Sequence, residues 1–233
     1  MTKRKPVRPR TKAKIWSQVD EYIGDKLLAE DKALDAALKD STAAGLPAIA
    51  VTAAQGKFLQ MLAEMVRARS VLEIGTLGGY STIWFARALP PDGHIITLEV
   101  DPAHADVARK NFARAGLQRM IELRLGAALE TLPLLVAEQS GPFDLIFIDA
   151  DKPNIPAYFD WAMRLSRPGS VIIVDNVVRD GGVVDAKSKD ASIQGVRRFM
   201  DQLGRDKRVT ATALQTVGAK GYDGFAIALV EER

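Results

Sequence analysis

The chain has 233 residues, 47% of them hydrophobic and 26% charged, which allows a sizeable core and excludes a collagen-like, coiled-coil or wholly disordered polypeptide. The net charge of +3 is unevenly placed: Lys3, Arg4, Lys5, Arg8, Arg10, Lys12 and Lys14 stand in the first 14 residues without an acid, leaving 25 basic side chains against all 29 acids. Residues 1–14 therefore read as a disordered, solvated basic tail rather than an RNA-binding arm, attached to a mildly acidic body. With no Cys, disulfides, thiolate zinc sites and a cysteine nucleophile are excluded. The basic start runs into a charged amphipathic segment, not the apolar core of an export signal, and no apolar run is long enough for a bilayer. A cytoplasmic location with no membrane partner is expected.

Residues 15–233 read as one domain, with 15–50 as an N-terminal helical lobe. The spacing of Ile15, Val19, Tyr22, Ile23, Leu27, Leu34 and Leu38 predicts one or two amphipathic helices, ended by Gly45-Leu46-Pro47. Thr52-Ala-Ala-Gln55 matches a capping box that opens a further helix through Phe58, Leu59, Leu62, Met65 and Val66. Short Val/Ile/Leu-rich runs follow at Val71–Ile74, Ile95–Val100, Ile121–Leu125, Phe143–Asp149 and Val171–Asp175. Helical patterns near 80–89, 102–115, 127–138 and 155–166 separate them. Strand–helix alternation of this kind predicts a parallel sheet covered on both faces. Val209–Val217 and Phe225–Val230, separated by glycines without a helix, predict an antiparallel hairpin at the sheet edge.

In an open α/β sheet, ligands bind beyond the carboxyl ends of the strands, beside the point where strand order reverses. The first strand ends Val71-Leu72-Glu73-Ile74-Gly75-Thr76-Leu77-Gly78-Gly79-Tyr80-Ser81, a glycine-rich turn into a helix. Glu99, 24 residues after Gly75, is placed to accept the hydroxyls of an adenosine ribose. The turn reads G-x-x-G-G, not G-x-G-x-x-G. Glu73 before it would repel a pyrophosphate and attract the cationic S-adenosylmethionine, which argues against a nicotinamide dehydrogenase. The fourth and fifth runs end in Asp149 and Asp175-Asn176. Three hard oxygen donors without His or Cys suit Mg²⁺ or Ca²⁺ better than zinc and leave room for a chelating substrate. Ser81 is not in a G-x-S-x-G elbow, and His94 and His104 have no nucleophile partner, so a hydrolase is disfavoured and both histidines read as structural or solvated.

LEIGTLGGYS, FDLIFIDADK and VIIVDN together resemble the cation-dependent class I O-methyltransferases related to catechol and caffeoyl-CoA O-methyltransferases, from about Val51 to Asn176. The resemblance implies a Rossmann-like α/β fold: a seven-stranded, mostly parallel sheet with an antiparallel last strand and helices on both faces. It implies S-adenosylmethionine as donor, a divalent cation (Mg²⁺, or else Ca²⁺ or Mn²⁺), a small hydroxylated aromatic acceptor and a homodimer. By motif, Glu73, Gly75 and Ser81 would line the methionine and ribose end of the donor, Glu99 would hold the ribose, Val51 would lie under the donor, and Gly126-Ala127 would flank the adenine. Asp149, beside the donor, would ligate the metal with Asp175 and Asn176, and Lys152 would be the base. Ile155 and Arg179 stand where the family usually carries aromatics that sandwich the acceptor, and Val178–Ser192 would be the variable loop over the mouth. Gly218–Gly224 is longer than the family's usual turn and is expected at the site rim or a subunit contact. The competing reading is a methyltransferase acting on hydroxylated tRNA bases, guided by the basic tail.

Overall fold

The computed structural model describes residues 12–232. The expected tail lies mostly outside the described residues, but Lys12, Ala13 and Lys14 do not belong to it: the first helix, α1, spans Lys12–Leu27. The helix thus begins one turn before Ile15, the first residue of its apolar i, i+4 spacing. Then come α2 (Lys32–Ala43), α3 (Ala53–Met65), β1 (Ser70–Ile74), α4 (Tyr80–Ala88), β2 (His94–Glu99), α5 (Pro102–Arg114), β3 (Ile121–Leu125), α6 (Ala128–Ala137) and β4 (Leu145–Ile148). The chain closes with α7 (Ile155–Arg164), β5 (Val171–Asp175), α8 (Ala191–Arg205), β6 (Val209–Gly218) and β7 (Gly221–Val230). Among the described residues no helix is long and apolar enough to cross a membrane.

The seven strands lie in the order β3-β2-β1-β4-β5-β7-β6, with β7 antiparallel to both of its neighbours. Side chains alternate across a strand, so the two faces sort by parity. Leu72, Ile74, Ile146 and Ile148 pack with α6, α7 and α8. Val71, Phe147 and Ile173 pack on the other face with α2 to α5 through Leu34, Leu59, Phe85 and Phe112. Both faces of the central strands β1, β4 and β5 are dry, hence runs that are almost wholly apolar rather than alternating.

Three sequence-based expectations change. Helix α8 was not anticipated: Asp190 caps it by accepting from Ser192 N (2.7 Å) and Ile193 N (3.2 Å), and Val196, Phe199 and Leu203 bury its apolar face. The stretch from Gly218 to Gly224 is mostly strand rather than an extended loop, because pairing between β6 and β7 continues to Gly218↔Gly221 and leaves a two-residue turn. Thr52 caps α3 by accepting from Gln55 N (3.1 Å), but the Gln55 side chain does not return the bond as a capping box requires. It donates instead to Asp175 Oδ2 at 2.8 Å.

Candidate active site

The strand register puts the chemistry in one row. Ile74 pairs with both Leu98 and Ile148, and Ile148 with Val174. One residue further on, Glu99, Gly75, Asp149 and Asp175 therefore stand level across β2, β1, β4 and β5, with the order reversal between β1 and β4 at the centre of the row. A cavity of about 690 Å³ opens there, and Gly75, Glu99, Gly126, Ala127, Asp149, Lys152 and Asn176 all line it. That volume is within the usual range for small-ligand sites, about 300 to 1,000 Å³.

Gly75 is required by its neighbour. Its φ is 101°, and a Cβ there would collide with the backbone carbonyl of Asp149. The glycine thus serves the close approach of β1 and β4 beneath the cavity.

Glu73 and Ser81 belong behind the cavity wall. Two residues before Gly75 on the same face, Glu73 lies one rung below the row, about 6.6 Å along the strand. It is fully buried and accepts from Ser81 Oγ (2.6 Å), Thr97 Oγ1 (2.7 Å) and Thr82 Oγ1. Burial pushes its carboxyl up to about 7, against the pull of the three hydroxyls, and the charge of Asp149 adds to the rise. Neither side chain, expected from sequence to line the methionine and ribose end of the donor, is part of the cavity lining, and the hydroxyls of Ser81 and Thr82 are turned inward to the acid. Val51 is buried among the apolar residues packed under α4 and is not part of the lining.

Glu99 is 7% exposed and ordered by its neighbours: Oε2 accepts from Leu77 N (2.7 Å), and Oε1 from Val100 N and Asp101 N (both 2.9 Å). These bonds fix the carboxylate at the cavity edge as an acceptor. His104, read from sequence as structural or solvated, also lines the cavity, with Nδ1 3.6 Å from Glu99 Oε1.

Lys152 is buried, and its Nζ donates to Asp149 Oδ1 at 2.8 Å. Its turn is held from behind by α8: a Cβ on Gly195 would collide with the Lys152 carbonyl oxygen. Asp175 is 4% exposed; its Oδ1 accepts from Asn176 N (2.8 Å) and its Oδ2 from Gln55 Nε2. Burial, then the nearby Asp149, raises its carboxyl to about 7, while Lys152 opposes the rise. Two carboxylates brought together, one of them dry, with an amide oxygen donor in Asn176 beside them, form a hard-donor set suited to a divalent cation. Among the described residues no group of three His, Cys, Asp or Glu is arranged to hold a metal ion, so a metal shell here depends on the Asn176 amide.

Ile155 is fully buried in the core and does not face the cavity, whereas Tyr158, one turn later, does, with its hydroxyl donating to Asp151. A second cavity of about 350 Å³, walled by Phe58, Leu214, Val217 and Phe225, shares Asn176 with the first and has Gln55 and Asp175 at its polar end.

A row of strand-end acids beside a glycine turn at the order reversal is the site of a nucleoside-dependent α/β enzyme. The sequence matches the O-methyltransferase family over residues 26–228, and the chain belongs to it. It is 56% identical over 217 residues to a catechol O-methyltransferase of Niastella koreensis, covering 93% of this chain and 98% of that protein. The O-methyltransferase of Bacillus cereus, solved in complex with SAH, superposes with a TM-score of 0.93 at 54% identity, covering 94% of this chain and all of that one. TomG of Streptomyces achromogenes, an O-methyltransferase of tomaymycin synthesis solved with SAM, gives 0.93 at 49% identity, over 96% of this chain and all of that one. The nicotinamide dehydrogenase reading is thereby set aside.

Proposed function

We propose that the protein transfers the methyl group of S-adenosylmethionine to one hydroxyl of a small aromatic vicinal diol, with a divalent cation at Asp149, Asp175 and Asn176. The observation that carries this is the level placement of Asp149 and Asp175 on neighbouring strands, with Lys152 Nζ 2.8 Å from Asp149; Asp149, Lys152 and Asn176 line the cavity that Gly75 and Glu99 border, and Asp175 lines the adjoining one that shares Asn176. The relatives solved with SAH and with SAM support S-adenosylmethionine as the occupant of that cavity. Glu99 then accepts from the ribose hydroxyls, Gly126-Ala127 border the adenine, and Glu73 supplies negative potential behind the sulfonium.

A bound divalent cation, Mg²⁺ or another hard ion, would lower the pKa of a phenol that is otherwise near 10 and hold two adjacent oxygens. Lys152, in its neutral amine form, takes the proton of the reacting hydroxyl and so becomes the ammonium that pairs with Asp149. The phenolate oxygen forms a bond to the methyl carbon as the carbon–sulfur bond breaks, its electron pair staying on sulfur, so the sulfonium leaves as a neutral thioether. Positioning in line supplies much of the acceleration. Gln55 holds Asp175 in the orientation this requires, a role that no local motif marks. The reading includes a homodimer, supported by apolar side chains that α1 leaves exposed, Val19, Tyr22 and Leu27.

Calorimetric titration with S-adenosylmethionine, followed by methyl-transfer assays on vicinal diphenols with and without Mg²⁺, tests it. Mg²⁺-dependent turnover abolished by Asp149→Ala and Asp175→Ala is expected. Donor binding without turnover of any diphenol refutes the acceptor class, and failure to bind the donor refutes the whole reading.

A further inference from the structure

The loop after β5 carries left-handed backbone at three non-glycine residues, Asn176 (φ 60°), Arg179 (φ 55°) and Asp180 (φ 53°). Such backbone persists only where its surroundings hold it. Asp223 on β7 does the holding: its Oδ1 accepts from Val178 N and Arg179 N, both at 2.9 Å, and from Gly224 N at 3.0 Å. Asp180 N adds a bond to Tyr222 O at 3.1 Å. The clamp fixes the backbone of Arg179, while its side chain forms only a long ion pair with the same Asp223. Its Nη1 is 3.7 Å from Asp223 Oδ2, beyond hydrogen-bond reach, and no acceptor among the described residues takes a hydrogen bond from the guanidinium. Asp190, the other acid whose charge Arg179 feels, is engaged in capping α8. Of the lysine and arginine side chains that line the catalytic cavity, Lys152 is bonded to Asp149, so Arg179 is the one with free donors. It shares the lining with two neutral polar side chains, Asn154 and Ser192.

We propose that Arg179 binds a carboxylate carried by the acceptor away from its reacting hydroxyls, so that the preferred substrates are vicinal-diol aromatic acids rather than neutral catechols. The planar guanidinium offers two parallel N–H donors that match a carboxylate, a geometry an aromatic residue at this position could not provide. The remaining charges of the lining agree. Glu99, Asp149 and Asp151 make the donor side of the cavity hostile to an anion, so a carboxylate at Arg179 also orients the diol toward Asp149 and Asp175. The inference rests on the methyl-transfer reading above.

The test is steady-state kinetics with S-adenosylmethionine and Mg²⁺ on 3,4-dihydroxycinnamate and its methyl ester, for the wild type, Arg179→Gln and Arg179→Lys. The acid should show a KM lower than that of the ester by about tenfold or more, the range of a charge-assisted bond. In Arg179→Gln the acid-to-ester ratio of kcat/KM should collapse toward one through KM, with Arg179→Lys in between. Because the ratio is taken within each variant, loss of folded protein cancels. Equal use of acid and ester by the wild type, or a preference that survives in Arg179→Gln, overturns the role of Arg179 while methyl transfer to the ester leaves the activity standing. If neither compound is methylated although the donor binds, the preference for aromatic acids is overturned, and the methyl-transfer reading is decided separately by the diphenol panel above.

Discussion

Replacing Glu73 by Gln tests whether the buried acid costs stability in exchange for its charge. In the folded chain burial raises its carboxyl from 4.5 to about 7. A raised carboxyl favours the folded state when protonated, so this contribution is complete below pH 4.5 and is lost as pH rises through 7. The shift corresponds to about 3 kcal/mol, of which about 2 to 3 kcal/mol falls between pH 5 and 8. A glutamine is neutral throughout, and the hydroxyls of Ser81, Thr82 and Thr97 can each rotate to donate or accept, so the cage can satisfy an amide. Wild type and Glu73→Gln should be compared by thermal unfolding at several pH values in that range. The wild type should lose about 5 to 10 °C more than the variant between pH 5 and 8. Parallel profiles would refute the argument. The charge should be visible in binding as well: near pH 8 the wild type should discriminate the cationic donor from its neutral thioether product more strongly than the variant, by the ratio of their calorimetric Kd values. If the ratio is the same in both proteins, Glu73 exerts no field at the sulfonium.

Gln55→Leu keeps the backbone cap of α3 but removes the donor to Asp175; Mg²⁺ affinity, read from activation curves, should weaken by about tenfold or more with donor affinity unchanged. Gly75→Ala forces a side chain into the Asp149 carbonyl at positive φ, and should cost at least about 2 kcal/mol in urea unfolding and lower turnover as well. Gly195→Ala favours helix propensity yet pushes the Lys152 turn, so kcat should fall with little change in donor Kd, and a variant of normal kcat would show that α8 does not position Lys152. Asp223→Ala frees three backbone N–H groups of the loop over the cavity, and acceptor KM should rise more than donor Kd.

The legible part of the fold and site is what short sequence windows encode. The runs Val71–Ile74, Ile121–Leu125 and Val171–Asp175 coincide with β1, β3 and β5, and the abrupt change from apolar to acidic at Glu99, Asp149 and Asp175 marks strand ends without reference to the rest of the chain. Helix α8 follows the same local rules, but its apolar face at Val196, Phe199 and Leu203 begins directly after a loop rich in Asp, Gly and Lys, and the loop character hides its start. Glycines at 218, 221 and 224 likewise suggest a loop, although mutual pairing carries β6 through the first and β7 through the other two.

What was illegible is decided by partners distant in sequence. Gln55 reads as half of a capping box because its local partner is three residues away, whereas its actual partner, Asp175, is 120 residues away and visible only once α3 lies over β5. A buried carboxylate needs a donor more than a solvated helix start does, so the tertiary bond prevails. The same logic separates Glu73 from Glu99. Both are acids at the ends of apolar strands, but register places Glu99 in the row at the cavity and Glu73 one rung beneath it, under the hydroxyls of α4 and β2. Motif spacing singles out both positions; only the pairing of β1 with β2 and β4 puts one in the cavity lining and the other behind it.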